Sequence, residues 1–414
     1  MSKKVNVAII GAGLAGLACA KELQKNKIDF HIFESTDGVG GRVRSDYVDG
    51  FTLDRGFQLY NPSYSEGKRL LDYQSLDLKP FCPGVAIRDG KRLRIVVDPF
   101  RDKSFRLRLI KDLPGNPLSQ LGLVSYFLKY LITSDAQIAT TKDISALESL
   151  TKSGVKGSLL EKLFRPFLQG VFLESELATS RKFLDVVLKT FLRGTPSVPA
   201  QGMQEISNQL SKTINKDNLS LNTKVIKIEG NKIFTQDEVI EANKIVVATD
   251  PSTAISWLNL EKKKMNTVTT WYFKADQSVS SLIEAKPILF VDGKQSGPLT
   301  NAVVMTNAAL SYAPAGEVLV SASAISPYEN SDLSSVKKHL SYIFGMNTEN
   351  WELIKEYKIK EALPAMTPPY SLINSNQITN DLFVAGDHRA TSSIQGALLS
   401  GTNAATLVKV SLGL

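Results

Sequence analysis

Val5 to Ile10 is a short apolar, β-branched run, the pattern of a parallel strand buried on both faces. A glycine-rich turn follows it, and from Leu14 to Leu23 the apolar residues fall at helical spacing. Phe30 to Phe33 predicts a second strand, so the chain opens as a strand–helix–strand unit. From about Lys91 to Arg193 the pattern is mostly helical, with apolar positions three and four apart in Leu118 to Leu131, Leu159 to Leu168 and Phe183 to Phe191. Strand-like alternation returns at Leu219 to Ile228, Lys232 to Thr235 and Ile245 to Ala248, and further strands are expected near Thr269 to Phe273 and Val318 to Ala322. A strand at Leu382 to Ala385 and a helix from about Ser393 to Leu407 close the pattern. Strand, turn and helix thus recur at both ends with a different region between them. This predicts an α/β domain assembled from separated segments, with a second domain inserted.

A length of 414 residues suits two interleaved domains, and 43% hydrophobic with 22% charged residues is ordinary globular composition. The net charge of +8 changes the picture in one place. Between Arg88 and Lys111 nine basic residues face three acids, which reads either as a solvated face or as a contact for an anionic membrane or partner. No nucleic-acid motif accompanies it. The two cysteines, Cys19 and Cys82, are too few and too far apart for a disulfide framework, and with three scattered histidines they suggest no metal site. Their scarcity suits a reducing, cytoplasmic setting. The first residues run straight into a strand, unlike a signal peptide. No apolar run reaches the ~20 residues that span a bilayer. The most apolar one, Leu121 to Ile132, is broken by Lys129 and reads either as core or as an amphipathic helix at a membrane surface.

The chemistry is concentrated at the two ends. In Gly11-Ala12-Gly13-Leu14-Ala15-Gly16, Gly11 permits a tight turn, Gly13 lets backbone approach a pyrophosphate, and Gly16 lets helix and strand pack closely. The helix that starts there offers free N–H groups and a positive dipole end. Glu34 ends the second strand, where a carboxylate accepts ribose hydroxyls, and Ser35 adjoins it. Gly40-Gly41-Arg42 is a second place where backbone can crowd a phosphate, with a guanidinium to neutralise it. Near the other end, Gly386-Asp387 terminates a strand and Ser393-Ile394-Gln395-Gly396-Ala397 opens a helix. There is no second G-x-G-x-x-G, so no separate nicotinamide domain is expected.

The acid, glycine pair and arginine resemble the FAD-binding opening of the amine oxidase, protoporphyrinogen oxidase and carotenoid desaturase superfamily. Gly50 to Gln58 resembles the segment that brings backbone to the flavin ring, with Gly56, Phe57 and Gln58 closest. Leu221 to Ile228 is similar to the strand whose valine, here Val225, pairs its backbone with adenine. Ile245 to Pro251, through Ala248, resembles the strand and turn that return to the cofactor. Arg165-Pro166 and Pro199 to Met203 resemble a stretch of the desaturase and protoporphyrinogen oxidase branches, although Gln201-Gly202 stands where those branches have two glycines. The resemblance places Asp387 on a ribityl or pyrophosphate-side hydroxyl, and Ser393, Ile394, Gln395 and Ala397 at the flavin's pyrimidine edge.

It implies one non-covalent FAD in a Rossmann-type, glutathione-reductase-like domain made of residues 1–67, 195–260 and 381–414. A mixed α+β substrate domain is expected at 68–194, largely helical, and 261–380. The activity implied is that of an oxidase, dehydrogenase or desaturase that takes a hydride from an organic, apolar small molecule and passes electrons to dioxygen, a quinone or another diffusible acceptor, with a polyene, a porphyrinogen and an amine all open as substrates. Gln58 is the candidate side chain facing the reacting ring, and Lys274 the candidate for the lysine that holds a water at flavin N5 in amine oxidases. His31 and His339 read as structural and solvated, respectively, and His388 as a local hydrogen-bonding residue beside the cofactor. The competing reading is a flavin-free binding protein resembling Rab GDP-dissociation inhibitors, which share the N-terminal glycines. Gly40-Gly41-Arg42 and Gly386-Asp387 argue against it.

Overall fold

The computed structural model describes residues 3–103, 109, 111–325 and 332–414. Two seven-stranded sheets organise the chain. In the first, five parallel strands lie side by side in the order Leu219–Ser220, Phe30–Phe33, Lys3–Ile10, Val239–Val247, Leu382–Val384. In chain order this is 3-2-1-4-5, the doubly wound arrangement, whose ligand crevice opens at the carboxyl ends of the strands where the order reverses. Lys232–Thr235 and Val225–Glu229 extend the sheet antiparallel beside the amino half of Val239–Val247. The strand at Lys3–Ile10 has neighbours on both sides, and its Val7, Ala8 and Ile9 are wholly buried. Helix Leu14–Lys25 follows the first strand and packs against the last helix, Ile394–Ser411, so closely that a Cβ added to Gly401 would lie 2.1 Å from the Ala15 carbonyl oxygen.

The second sheet runs in the order Glu352–Pro364, Met265–Ala275, Val318–Ile325, Asn301–Val304, Leu289–Asp292, Gly84–Asp89, Arg92–Val97. All its pairs are antiparallel except Leu289–Asp292 with Gly84–Asp89. Alternation assigns its two faces. Trp271, Phe273, Ala302 and Val304 join the core under helix Leu333–Phe344, whereas Tyr272 and Val303 join the core shared with the first sheet. The helices Pro117–Ile132, Asp135–Thr140, Ala146–Lys152, Arg165–Phe172 and Arg181–Arg193 gather around a further core of Leu123, Leu150, Leu168, Phe172 and Leu184.

Four expectations are corrected. The helical region does not begin at Lys91: Arg92–Val97 is a strand, turned back on Gly84–Asp89 through Gly90 at φ 65°. Ile95 and Val97 alternate inward there, a pattern obscured by Arg92 and Arg94, which precede them. Leu219 to Ile228 is two strands, because Asn222 takes a left-handed φ of 52° and redirects the chain. The basic stretch is not simply solvated. Arg88 is buried with its Nε donating to the Ile343 carbonyl at 2.9 Å, and Arg92, Arg94 and Arg101 pair with Asp112, Asp89 and Asp98. Arg106 and Arg108 of that stretch lie outside the described residues. His339 is buried, not solvated: its Nδ1 accepts from Leu299 N at 2.9 Å and its Nε2 meets Asp292 Oδ2 at 3.1 Å. That carboxylate also accepts from Ser296 N, and a hydrogen bond from each of these donors holds the Asp292 carboxyl down at about 2 despite its burial.

Candidate active site

The three glycines of the opening loop are separated by what a side chain would meet. At Gly11, with φ 106°, a Cβ would lie 2.5 Å from the Ala248 carbonyl oxygen, and at Gly16 it would lie 2.0 Å from the Gly11 carbonyl oxygen. These two are glycine because the first strand, the first helix and the Ala248 turn touch there. Gly13 is different. Its φ of −71° and ψ of 177° are open to any residue, and a Cβ would meet nothing within 4 Å. The space in front of the helix N-terminus is therefore vacant of protein at the point where a phosphate would approach. Leu14 and Ala15, behind it, are buried and anchor the helix.

Glu34 is 7% exposed and closes one side of this cradle. Its Oε2 accepts from Ala12 N at 2.8 Å, and its Oε1 accepts from Thr36 N at 2.9 Å, Thr36 Oγ1 at 2.7 Å and Ser35 Oγ at 3.3 Å. Its backbone holds the 219–223 segment, through Glu34 N to Ser220 O and Thr223 N to Glu34 O, both 2.8 Å. This brings the buried Val225 segment to the same edge. Gly40 lies against the first loop, its N–H donating to Ala12 O at 2.9 Å, and Gly41 takes φ 59° with a would-be Cβ 3.4 Å from Gly13 Cα.

Arg42 joins the two ends of the chain. Its Nη2 meets Asp387 Oδ1 at 2.6 Å and its Nη1 donates to Ala362 O at 3.0 Å. Ala248 N donates to Ile10 O, and Ala385 N to Val247 O, both 2.8 Å, so the Ala248 and Gly386 turns sit at the same sheet end as the glycine loop. Ser393 caps the last helix, its Oγ accepting from Gly396 N at 3.1 Å. Ile394 and Ala397 pack on the core of the first sheet, and Gln395 reaches Glu66 N and Ser65 Oγ at 3.0 and 2.9 Å.

The segment after the hairpin Ser45–Val48/Phe51–Asp54 crosses to the second sheet. Gly56, at φ 92°, leaves a would-be Cβ only 2.6 Å from Ile359 Cδ1, and Phe57 N meets Thr270 Oγ1 at 3.4 Å. Gln58 donates its amide to Arg42 O at 2.9 Å and Arg55 O at 3.2 Å. Those bonds make it a brace for the backbone of Arg42. Lys274 is a correction. It forms a 2.9 Å ion pair with Glu317 at the surface, with 42% of its side chain exposed, and does not reach the glycine loops. Alternation puts Lys274 on the same sheet face as Tyr272, but at the end of the strand Met265–Ala275, beside Glu352 and beyond the shared core.

Two residues gain roles that the sequence did not suggest. Asp54 is buried at the hairpin's end with no cation among its partners. It accepts from Ser45 Oγ at 2.6 Å, Met203 N at 2.9 Å and Tyr312 OH at 2.9 Å, and its carbonyl accepts from Tyr272 OH. Burial pushes its carboxyl up to about 6. The only sequence signal was an acid inside an apolar strand. His388 was expected to find a local hydrogen bond, yet neither ring nitrogen has a partner among the described residues, and the ring is 3% exposed. Burial pushes its imidazole down to about 4, which leaves it neutral beside Asp387.

The sheet order, the glycine cradle and its acid, and the Arg42–Asp387 closure define a dinucleotide-binding flavoprotein of the glutathione-reductase type. Residues 14–409 match the family described as flavin containing amine oxidoreductase, and the chain belongs to that family, with FAD as its cofactor. It is 23% identical over 282 residues to the 4,4'-diapophytoene desaturase (4,4'-diaponeurosporene-forming) of Staphylococcus aureus strain Newman, which covers 58% of this chain and 52% of the relative. The chain thus spans about half the length of the curated relatives it matches. A putative protoporphyrinogen oxidase from Exiguobacterium sp. 255-15 superposes with a TM-score of 0.72 at 17% identity, covering 100% of both chains. Wild-type putrescine oxidase bound to putrescine superposes with a TM-score of 0.72 at 15% identity, covering 98% of this chain and 99% of that one. The family match is to flavin enzymes and gives no support to the flavin-free alternative.

Proposed function

We propose that this chain is an FAD-dependent dehydrogenase or desaturase that removes a hydride and a proton from an apolar organic molecule. Dioxygen, a quinone or another diffusible acceptor takes the electrons away. The observation that carries the reading is the vacant cradle before Gly13, closed by Glu34 on one side and by the Arg42–Asp387 pair on the other. FAD, when bound, supplies the hydride acceptor. Gly13 and the first helix N-terminus hold its pyrophosphate, Glu34 its ribose hydroxyls, and Asp387 with Arg42 the ribityl–phosphate side. The N-terminus of the helix at Ile394 would offer donor N–H groups and a positive dipole end to the flavin's pyrimidine edge, where reduction builds negative charge. Gln58 holds the backbone of Arg42 in place, and the segment at Gly56 and Phe57, tied to Thr270 of the second sheet, would bring backbone to the bound ring.

The apolar substrate is favoured over an amine by the likeness to the diapophytoene desaturase and by the surface ion pair of Lys274, which removes the amine oxidase lysine from that position. Among the described residues no helix is long and apolar enough to cross a membrane, so contact with a membrane would be peripheral. The test is anaerobic mixing of the flavin-loaded protein with a carotenoid precursor, a porphyrinogen and a primary amine in turn. Loss of the oxidised-flavin absorbance with the polyene alone is expected. Bleaching by the amine and not by the polyene would reverse the assignment.

A further inference from the structure

Helix Pro117–Ile132 turns an uncharged apolar face to solvent. Its side chains Ser119, Leu123 and Tyr126 are buried, and at about 3.6 residues per turn they share one side. Leu118, Leu121, Val124 and Leu128 project from the opposite side and are 78, 65, 54 and 56% exposed. Isolated exposed apolar residues are ordinary on any protein, but three leucines and a valine along one helix face form a contiguous patch of the kind that marks an interaction surface. The face carries no charge: the helix has no acid, and its one basic residue, Lys129, stands at the edge of the face. Ser125, the polar side chain among these residues, returns its hydroxyl to the Gly122 carbonyl at 2.9 Å and so needs no water. Phe100, 85% exposed, flanks the same region. Its neighbour Arg101 donates to the Phe191 carbonyl, and Lys189 donates to the Thr133 carbonyl just past the apolar helix, each at 2.7 Å. Phe100 and the end of the apolar helix thus border the same helix, Arg181–Arg193.

The charge of the segment that bears this face, with Lys156 beside Asn116 and Ser119 at the start of the helix, indicates what covers it. Residues 88–196 contain 19 lysines and arginines against 11 aspartates and glutamates, a balance of +8 that equals the net charge of the whole chain. The rest of the protein is neutral overall, and the entire excess lies in the segment that bears the apolar face. Four of those arginines are spent internally or on local acids, but Lys91, Lys103, Lys111 and Lys156 remain exposed. A second copy of this chain would set one such segment against another, and like charges oppose that pairing. An anionic bilayer satisfies both features, taking the leucines into the headgroup–acyl boundary and the lysines onto lipid phosphates.

We propose that Leu118, Leu121, Val124 and Leu128, with Phe100, dock this protein on anionic membranes. The proposal deepens the apolar-substrate reading, since a docked enzyme meets substrate dissolved in the lipid. It is tested separately, by co-sedimentation of the flavin-loaded protein without turnover. One set of vesicles is phosphatidylcholine alone, and the other mixes phosphatidylcholine and phosphatidylglycerol equally, each at low and high salt. Wild type is expected to pellet with the mixed vesicles at low salt, less so at high salt, and weakly with the neutral ones. The double variant Leu121→Glu/Leu128→Glu should lose roughly tenfold or more of the partition coefficient, with flavin content and Tm unchanged because both positions face solvent. Leu121→Ser/Leu128→Ser, which adds no charge, should lose binding in the same direction. Wild type remaining in the supernatant with mixed vesicles at low salt overturns the proposal. So does a variant that pellets like wild type, or a wild-type dimer that the same substitutions dissociate in the absence of lipid. Failure here leaves the redox assignment standing, whereas a protein that binds vesicles and is not reduced by the polyene loses only the substrate reading.

Discussion

Three glycines of one loop, identical in sequence, are required for different reasons. Gly16 is a packing glycine, since a methyl group would sit 2.0 Å from the Gly11 carbonyl oxygen, a contact only backbone movement relieves. Gly13 is free of protein and has a backbone conformation that alanine adopts. Gly13→Ala is therefore expected to leave folding stability within about 1 kcal/mol of wild type while lowering FAD affinity by roughly tenfold or more, as its methyl group enters the space of the pyrophosphate. Gly16→Ala is expected to cost roughly 3 kcal/mol of stability with or without flavin. Urea denaturation and flavin titration of the two variants check this. A Gly13→Ala protein that binds FAD like wild type would show that the vacant space is not a cofactor cradle.

The ends of elements hold the titrating groups. Asp54 ends a hairpin strand and His388 follows the last strand, and burial moves both, in opposite senses. Asp54, raised to about 6, stays protonated in the folded state while the unfolded chain has already ionised, so its contribution to stability falls by about 3 kcal/mol as pH rises from near 4 to 6. His388, lowered to about 4, stays neutral while the unfolded chain protonates, so its contribution is present above about 6.5 and falls by about 3 kcal/mol as pH drops toward 4. Between pH 4 and 6 the two slopes oppose each other. Asp54→Asn should therefore make stability rise more steeply with pH than in wild type, and His388→Gln should make it fall. Urea midpoints at matched flavin occupancy across this window decide the matter, and parallel profiles for all three proteins would refute the burial argument. His388 was legible as a residue beside the cofactor, but neither shift was, because a raised or lowered pKa comes from what folds over a residue, such as Met203 and Tyr312 over Asp54. The elements that were legible carry their partners next to them in sequence, as the run Val5 to Ile10 before its glycines does. The Arg92–Val97 strand was missed because Arg92 and Arg94 open it and mask the alternation that follows. The surface position of Lys274 and the burial of His339 depend on which strand or loop lies opposite, which no local spacing records.

At the scale of the whole molecule the proposed cofactor residues come from both ends of the chain and from two middle segments, and the Gly11, Ala248 and Gly386 turns meet at the carboxyl ends of the first sheet's parallel strands. Contacts converging from such distant positions can hold a flavin tightly without a covalent bond, and the possible tethering side chains are few. Of the two cysteines, Cys19 is wholly buried inside the first helix, where burial pushes its thiol far up. Cys82 has its thiol pushed up to about 11 by burial and by the Asp102 carboxylate, so neither offers a thiolate near neutral pH. Among the histidines, His31 bonds Ser220 Oγ at 2.8 Å and His339 is engaged by Leu299 and Asp292. His388 alone has unengaged nitrogens beside the cofactor residues. Heat or acid precipitation should therefore release all the flavin into the supernatant as intact FAD, identified by chromatography against authentic FAD. Yellow colour remaining in the pellet would overturn non-covalent binding, and its loss in His388→Gln would then name the attachment point.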